Sequence, residues 1–514
     1  MSTPRLLFVP LFFSLACGGS DPVGSTGGTD DSTTTGPGTS TATTDTPGPT
    51  STGVDPTTPT STTSATATTT TTTTGDTDTT TTSSPVTSTT TSTTDGPDTT
   101  TTTTTGDTDT TTEGPVDGFL IGVHTADVSP SDAHLDQNVY MGAYGAPFTR
   151  GPAQGVHDAV FARSFAIEGD GGGVIMAIVD LPGMGNQNTR AVRQKVAELT
   201  GLDEAQVLVG TTHSHSAPDL MGLWGGVPGD YRDFINDEIA HSMAAAWDAR
   251  VPATLAVATI KAPNNNRRGW GFTDDDMTIL DAKDLEGNRI GTLVNFAAHP
   301  VILGEDNKEI SCDYVGYSVQ KIEAALGAPA SLFNGALGDA TPKVPDGQYP
   351  DDFARAQAYG ELLADIAIAA VETAEPVEGS LVWSHTEWEQ GVDNLLFQIA
   401  AQLGILQFDF ESMGLSQVVT TQSTYFRLGT QVQGVAFPGE SLTRNGLAIK
   451  EAMKAPHKMI LGNTGDALGY FIPSDEWQTG KNDNYEETVS LGKTAGDTAR
   501  DKINALVDAD NANF

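Results

Sequence analysis

Residues 174–180 read V-I-M-A-I-V-D, and residues 206–210 read Q-V-L-V-G. Each stretch is a short apolar run next to turn residues, which is typical of a buried strand. Between them, Asn188 to Leu199 carries apolar residues at helical spacing. A strand, a helix and a second strand in this order favour a layered α/β fold.

The same alternation extends along the rest of the chain. Strand pairs expected within residues 380–435 predict a mixed β-sheet flanked by helices rather than a purely parallel one. The other expected strands are 254–260, 277–281, 290–298 and 330–334, and the other expected helices are 231–249, 316–326 and 352–374. Residues 395–410, L-L-F-Q-I-A-A-Q-L-G-I-L-Q-F-D-F, allow two interpretations. They could form a buried core helix or an apolar lip that contacts lipid or an acyl chain.

The N-terminus predicts export. Arg5 precedes an apolar run from Leu6 to Leu15, and Cys17 follows directly in the pattern S-L-A-C. This pattern is typical of a lipoprotein-type signal peptide, although Ser14 replaces the usual aliphatic residue. The alternative is an ordinary secretory signal with an incidental cysteine. We therefore expect an exported protein of the cell envelope, either anchored to a membrane through a lipidated Cys17 or secreted.

Composition divides the chain into three predicted regions. Residues 1–17 are the signal, residues 18–116 are a disordered linker rich in Thr, Ser, Gly, Pro and Asp, and residues 117–514 are the folded domain. The linker has almost no apolar residues, so it cannot bury a core that would offset its backbone entropy. We expect it to act as a solvated stalk.

Charge and cysteine content exclude other classes of protein. The chain has 26 Lys and Arg against 66 Asp and Glu, a net charge of −40. A surface this acidic repels phosphate backbones, so we expect no nucleic-acid partner. Besides Cys17, Cys312 is the only cysteine, so the domain is expected to have no internal disulfide and to depend on its core.

Potential metal ligands occur at the ends of three predicted strands. His213 and His215, in T-H-S-H-S, follow the strand at 206–210, and residues two apart in extended backbone point to one face. His299 ends a second strand, and Glu440 follows a third. Each residue alone has a structural alternative: histidines at strand ends are often only hydrogen-bonded, and a carboxylate before a helix stabilises the helix N-terminus. Together they fit the His-His-Glu set of an open catalytic zinc site.

Several further motifs occur in a fixed order along the domain. They are T-H-S-H-S, N-F-A-A-H-P, I-S-C-D-Y-V-G-Y, N-G-A-L-G-D-A-T-P, F-P-G-E, G-Y-F-I-P-S-D-E-W and N-Y-E, preceded by G-V-H-D-A-V-F-A-R-S-F at 155–165. In this order they resemble the motifs of the neutral ceramidase family, and the resemblance covers nearly all of the predicted domain.

The resemblance implies a role for individual residues. It implies a catalytic zinc ion held by His213, His299, Glu440 and Tyr470, with His215 as the proton-transferring histidine. It further implies that Arg267 helps to hold the reacting group and that Tyr485 contacts the substrate carbonyl.

This sequence also departs from the family pattern. Thr341 stands where the family has a serine considered important for activity, and threonine keeps the hydroxyl but is stiffer at Cβ. Cys312 stands where a glycine is usual. The chain ends soon after Tyr485, so we expect it to lack the family's C-terminal immunoglobulin-like domain.

The function implied by the resemblance is zinc-dependent hydrolysis of the amide bond of an N-acyl lipid such as ceramide, giving a sphingoid base and a fatty acid. Two alternatives stay open. One is a zinc amidase or esterase for another small substrate, and the other is a non-catalytic surface binding module that keeps the fold.

Overall fold

The computed structural model describes residues 118–144, 148–413, 416–479 and 485–514. The predicted signal and linker lie outside the described residues. Within them the strands are, in chain order, β1 (Phe119–Asp127), β2 (Gly155–Val156), β3 (Phe161–Gly169), β4 (Gly172–Val179), β5 (Val207–Thr211), β6 (Val251–Lys261), β7 (Asn264–Asn266), β8 (Asp276–Asp284), β9 (Arg289–Phe296), β10 (Glu309–Ile310), β11 (Ala330–Asn334), β12 (Ala340–Pro342), β13 (Glu375–Val377), β14 (Leu381–Val392), β15 (Glu411–Met413), β16 (Ser416–Leu428), β17 (Val432–Ala436), β18 (Glu440–Ser441), β19 (His457–Leu461) and β20 (Tyr470–Phe471).

The helices of the same residues alternate with these strands, as predicted. They are α1 (Asp132–Leu135), α2 (Asn186–Thr200), α3 (Gly229–Asp248), α4 (Tyr314–Leu326), α5 (Asp352–Val371), α6 (Leu395–Gln402), α7 (Thr443–Ala452), α8 (Tyr485–Thr488) and α9 (Ala495–Asn511), with one 3-10 turn at Glu204–Gln206.

The larger sheet has nine strands. Its order is β11-β9-β8-β6-β1-β3-β4-β5, and β13 pairs with β6. The pairs β11–β9 and β4–β5 are parallel, whereas the other neighbours are antiparallel. The sheet curls so that its edge strand β11 contacts β5 at the opposite edge. This curl brings together loops that are far apart in strand order.

A second sheet packs against the first. Its strands are ordered β14-β16-β17-β19, with β15 on β16. Phe165 and Met176 of the first sheet share one buried core with Phe426 and Met459 of the second. Helices α2 to α5 cover the outer face of the first sheet, and α7 and α9 cover the second. Four layers result, because both faces of both sheets are apolar.

The predicted fold class, a mixed β-sheet domain flanked by helices, is confirmed. The strand predicted at 330–334 matches β11, and the helix predicted at 188–199 lies within α2. The interpretation of 395–410 as a buried core helix is wrong. Helix α6 covers only Leu395–Gln402, and Leu395 is 65% exposed. Helix α6 is short because Gly404, with φ +65°, follows its last turn in the left-handed conformation that commonly ends helices. No helix among the described residues is long and apolar enough to cross a bilayer.

Candidate metal centre and adjoining cavity

His213, His215 and His299 form a buried cluster, and their ring nitrogens lie close enough together to hold one metal ion. His213 lies two residues beyond β5 with φ +67°, a conformation uncommon for a residue other than glycine. Its backbone N–H donates to the carbonyl of Leu181, and its Nδ1 contacts the carbonyl of Pro182. Because a carbonyl only accepts, Nδ1 carries the proton and Nε2 presents a lone pair.

His299 is oriented in the same way. It lies three residues beyond β9, and its Nδ1 donates to the carbonyl of Leu337 at 2.7 Å. Its backbone N–H donates to the carbonyl of Ala340 at 2.9 Å. The lone pair of Nε2 is therefore free to bind a cation, as for His213.

Glu440 completes this group. Strand β18 pairs with β20 so that Glu440 lies beside Tyr470 in register. Its Oε2 is 3.2 Å from Nε2 of His299 and 3.4 Å from Nε2 of His213. Burial alone would raise the pKa of Glu440, but the two imidazoles hold that pKa well below its usual range. Two nitrogen lone pairs and a buried carboxylate converge here, so the donor set fits a divalent cation such as zinc.

His215 adjoins this group from the side. Its Nε2 lies 3.2 Å from Nε2 of His213, while its buried Nδ1 has no hydrogen-bond partner among the described residues. Burial, followed by the neighbouring imidazoles of His213 and His299, lowers the pKa of His215 well below 6.5. Arg150 fixes the backbone by donating to the carbonyl of His215 at 2.5 Å. The ring is therefore neutral at neutral pH and able to accept a proton.

The cluster is followed toward the protein surface by three further side chains, those of Tyr470, Arg267 and Tyr485. The buried Tyr470 ring stacks 6.4 Å from the ring of His299, measured between centroids. The Arg267 guanidinium carbon lies 5.4 Å from the centroid of Tyr470 and 6.0 Å from that of Tyr485. Glu486 pairs with Nε of Arg267 at 2.9 Å. Tyr485 is 40% exposed, so these side chains lead from the buried ligands toward solvent.

Thr341 is the chain neighbour of Ala340, whose carbonyl accepts a hydrogen bond from His299. It is half-buried on β12, where it pairs in register with Asn265 of β7. The structure thus brings His213, His299, Glu440 and His215 together, whereas the roles of Tyr470 as a ligand and of Thr341 stay predictions.

Two buried polar residues that sequence reasoning did not select hold the site loops in place. Asn334, at the end of β11, donates to the carbonyl of Thr212 at 2.8 Å and accepts from the N–H of Ala298 at 3.1 Å. It thereby connects the residues that precede His213 and His299. Asp339 accepts hydrogen bonds at 2.7 Å from both the N–H and the hydroxyl of Thr443, and Thr443 lies three residues after Glu440 in the chain. Both lie in N-G-A-L-G-D-A-T-P, so that motif was the available signal.

An apolar cavity opens beside the ligands. His213 and Glu440 line one part of it, together with Asn463. The remaining walls are apolar and include several side chains of the 395–410 segment; they are Met221, Leu223, Trp224, Phe397, Leu406, Phe408, Phe410, Ala467, Leu468, Gly469, Val489 and Leu491. A reactive polar end and an apolar body are the features of a site for an amphiphilic ligand.

Known proteins resemble this chain in sequence over part of its length. No family model matches the sequence. The neutral ceramidase of Drosophila melanogaster is 25% identical over 232 residues, which are 40% of this chain and 32% of that protein. Neutral ceramidase B of Dictyostelium discoideum is 25% identical over 244 residues, which are 42% of this chain and 33% of that protein. The match therefore spans about one third of the length of these relatives.

Solved structures resemble it over more of the fold. The crystal structure of neutral ceramidase from Pseudomonas aeruginosa matches with a TM-score of 0.64 and 17% identity, covering 77% of this chain and 75% of that one. A structure described as ceramidase complexed with C2 matches with a TM-score of 0.63 and 16% identity, covering 77% and 76%.

The fold and the cluster define a mixed α/β protein with a buried candidate metal centre at the end of an apolar cavity. Similarity in sequence over part of the chain and in fold over most of it confirms the predicted resemblance to the neutral ceramidases.

Proposed function

We propose that this chain is a zinc-dependent hydrolase that cleaves the amide bond of an N-acyl lipid such as ceramide. One observation carries the proposal: the Glu440 carboxylate lies within 3.4 Å of Nε2 of both His213 and His299, and His213 and Glu440 also line an apolar cavity. The names of the related proteins supply the substrate class, ceramide.

The residues that would hold the metal are His213, His299 and Glu440, with Tyr470 as the fourth ligand implied by the resemblance. When bound, zinc supplies Lewis acidity that polarises a carbonyl and lowers the pKa of water toward ~7. Nδ1 of both histidines is already committed to backbone carbonyls, so the imidazoles need no rearrangement to present Nε2.

His215 is the proposed proton carrier. Its depressed pKa leaves the ring neutral, so it can take a proton from the attacking water. The oxygen of the water forms a new C–O bond to the carbonyl carbon, and the C–N bond then breaks. His215 returns the proton to the leaving nitrogen, so the products are a fatty acid and an amine. The backbone of His215 is fixed by Arg150, and this keeps the ring beside His213.

Arg267 and Tyr485 are proposed to stabilise negative charge on the carbonyl oxygen. Burial alone would lower the pKa of the Arg267 guanidinium, but Tyr470 and Glu486 raise that pKa above its usual value, so the group stays charged. A fixed cation near the site of developing charge stabilises the transition state more than the substrate. Thr341 is proposed to contribute its hydroxyl, as implied by the family serine.

The apolar cavity is proposed to bind a hydrocarbon chain of the substrate. Each methylene group transferred from water into such a cavity contributes about 0.8 kcal/mol. A lipid anchor at Cys17, also a proposal, would keep the site in the cell envelope, close to lipid substrates.

The test measures zinc content and turnover on the purified full chain. We expect one tightly bound zinc and release of fatty acid from ceramide, with both lost in His213→Ala. The matched control is His241→Ala, because His241 is exposed on α3. Turnover of another ester or amide, with ceramide untouched, would support the zinc amidase or esterase instead. A folded chain with neither zinc nor turnover would support the binding module.

A further inference from the structure

Asn463 lies in the loop between β19 and β20 and is 2% exposed. Its backbone N–H donates to the carbonyl of Gly439 at 3.1 Å, next to Glu440, and its carbonyl accepts from the N–H of Thr211 at 3.1 Å. The backbone of Asn463 is thus tied to the two chain segments that carry Glu440 and His213. Asn463 lines the apolar cavity together with those same two residues.

The side-chain amide of Asn463 is unpaired. Neither Oδ1 nor Nδ2 has a hydrogen-bond partner in the part of the chain that the structure describes, although both atoms are buried. An unmet buried polar group costs about 1–3 kcal/mol, and an asparagine here leaves a donor and an acceptor unmet. A residue that only supported the fold would pair with its neighbours, as Asn334 does.

The surroundings of this amide define what it could bind. Leu406, Phe408 and Leu468 belong to the rest of the cavity lining and offer no polar side-chain atom. A molecule that fills the cavity therefore meets hydrogen-bonding side chains chiefly at Asn463, His213 and Glu440, and we expect its polar group to lie beside them. In an N-acyl lipid, that polar group is the amide itself.

We propose that Asn463 determines specificity for amides by accepting a hydrogen bond from the N–H of the scissile amide through Oδ1. This inference rests on the proposed hydrolase function and deepens it. An ester offers an oxygen in place of the N–H, so a buried acceptor would face another acceptor. Sites built around a substrate N–H or O–H discriminate strongly against analogues that lack it, because their buried polar groups stay unpaired.

Asn463 also has a backbone reason to be difficult to replace. Its φ of +46° lies in the left-handed region, which asparagine and glycine adopt more readily than other residues. Asn463→Leu removes the amide at similar size but adds backbone strain. Asn463→Gly removes the amide without that strain, so the two variants separate the hydrogen bond from the conformation.

The experiment compares hydrolysis of ceramide with hydrolysis of its analogue in which an ester oxygen replaces the amide nitrogen. We expect both Asn463 variants to lower kcat/KM for ceramide by about 100-fold and to change kcat/KM for the ester by less than about threefold. Zinc content should stay at the parental level. Leu406→Ala, on the apolar wall, is the matched control and should lower both values by the same factor.

Two outcomes overturn the inference while keeping the hydrolase: an unchanged ratio of the two kcat/KM values, whether both fall equally or neither falls, or loss of zinc in Asn463→Gly. If the parent hydrolyses neither substrate, or only the ester, the proposed amide hydrolysis is itself wrong and the inference falls with it.

Discussion

The ligand cluster and the apolar cavity meet at His213 and Glu440 but are built differently. His213 and His299 lie just beyond strands and Glu440 begins β18; backbone hydrogen bonds hold all three residues, and all three are buried. The 395–410 segment has one short helix; Leu406 and Phe408, which line the cavity, are buried, whereas Leu395 and Leu403, which do not line it, are 65% and 60% exposed. Fixed geometry is needed where atoms react, whereas a chain-binding wall needs only apolar surface.

The difference predicts that variants on the two sides fail in different ways. Ligand-side changes should alter metal content or the chemical step, because the supporting hydrogen bonds leave little freedom to adapt. Changes in the cavity wall should alter the dependence on substrate chain length, because hydrophobic binding scales with buried area.

The largest expected effect is that of His215→Ala. If His215 carries the proton, kcat should fall by about 1,000-fold while zinc content stays at the parental level, since general acid–base catalysis contributes roughly 100- to 10,000-fold. Zinc analysis and single-turnover kinetics on the same samples measure both. Loss of zinc would instead make His215 a ligand, a role its distance of 3.2 Å from His213 Nε2 permits.

A smaller effect is expected for Phe397→Ala in the cavity wall. It should lower kcat/KM for a long-chain N-acyl substrate by about tenfold and leave a short-chain substrate within about twofold, because truncation removes apolar contact area. Leu403→Ala is the control, since Leu403 ends the same helix but does not line the cavity. Equal losses for long and short chains would show that the cavity does not bind the hydrocarbon.

The strand-end positions of His213, His299 and Glu440 could be predicted from sequence, because apolar runs followed by a polar residue mark where strands leave a sheet. The contacts of Asn334 could not, since it connects Thr212 with Ala298 across more than 80 residues of chain. Such long-range hydrogen bonds depend on the curl of the sheet, which leaves no periodic pattern in the sequence.

The error at 395–410 has a different origin. Apolar content alone favoured a core helix, but Asn394 caps α6 by accepting from the N–H groups of Leu396 and Phe397, and Gly404 follows its end. Both are recognisable start and stop signals that limit the helix to about two turns. Asn463 shows the remaining limit: its residue type is visible, but its unpaired amide is visible only once its neighbours are known.

The smallest expected effect is that of Asp466→Asn on the pH dependence of the free energy of unfolding. Asp466 lies in a loop that both regions share. In the loop 463–468, Asn463, Ala467 and Leu468 line the apolar cavity. Asp466 of the same loop lines a separate polar cavity together with Arg190 and Arg193. Burial raises the pKa of Asp466 to about 7, although the hydroxyl of Thr421, which donates at 2.5 Å, and the two arginines oppose the shift.

Because that folded-state pKa lies above the value of 3.8 for an ordinary aspartate, the folded chain holds the proton longer than the unfolded chain does. The stabilisation is complete below about pH 4 and is lost as pH rises toward 7, by about 1 kcal/mol between pH 6 and pH 7. Asp466→Asn keeps an acceptor for Thr421 and removes the titration. Denaturant unfolding at pH 6 and pH 7 should therefore show the variant gaining about 1 kcal/mol on the parent. A constant difference between the two proteins would mean that Asp466 is already ionised at pH 6 in the folded chain, and that the arginines rather than burial decide its charge.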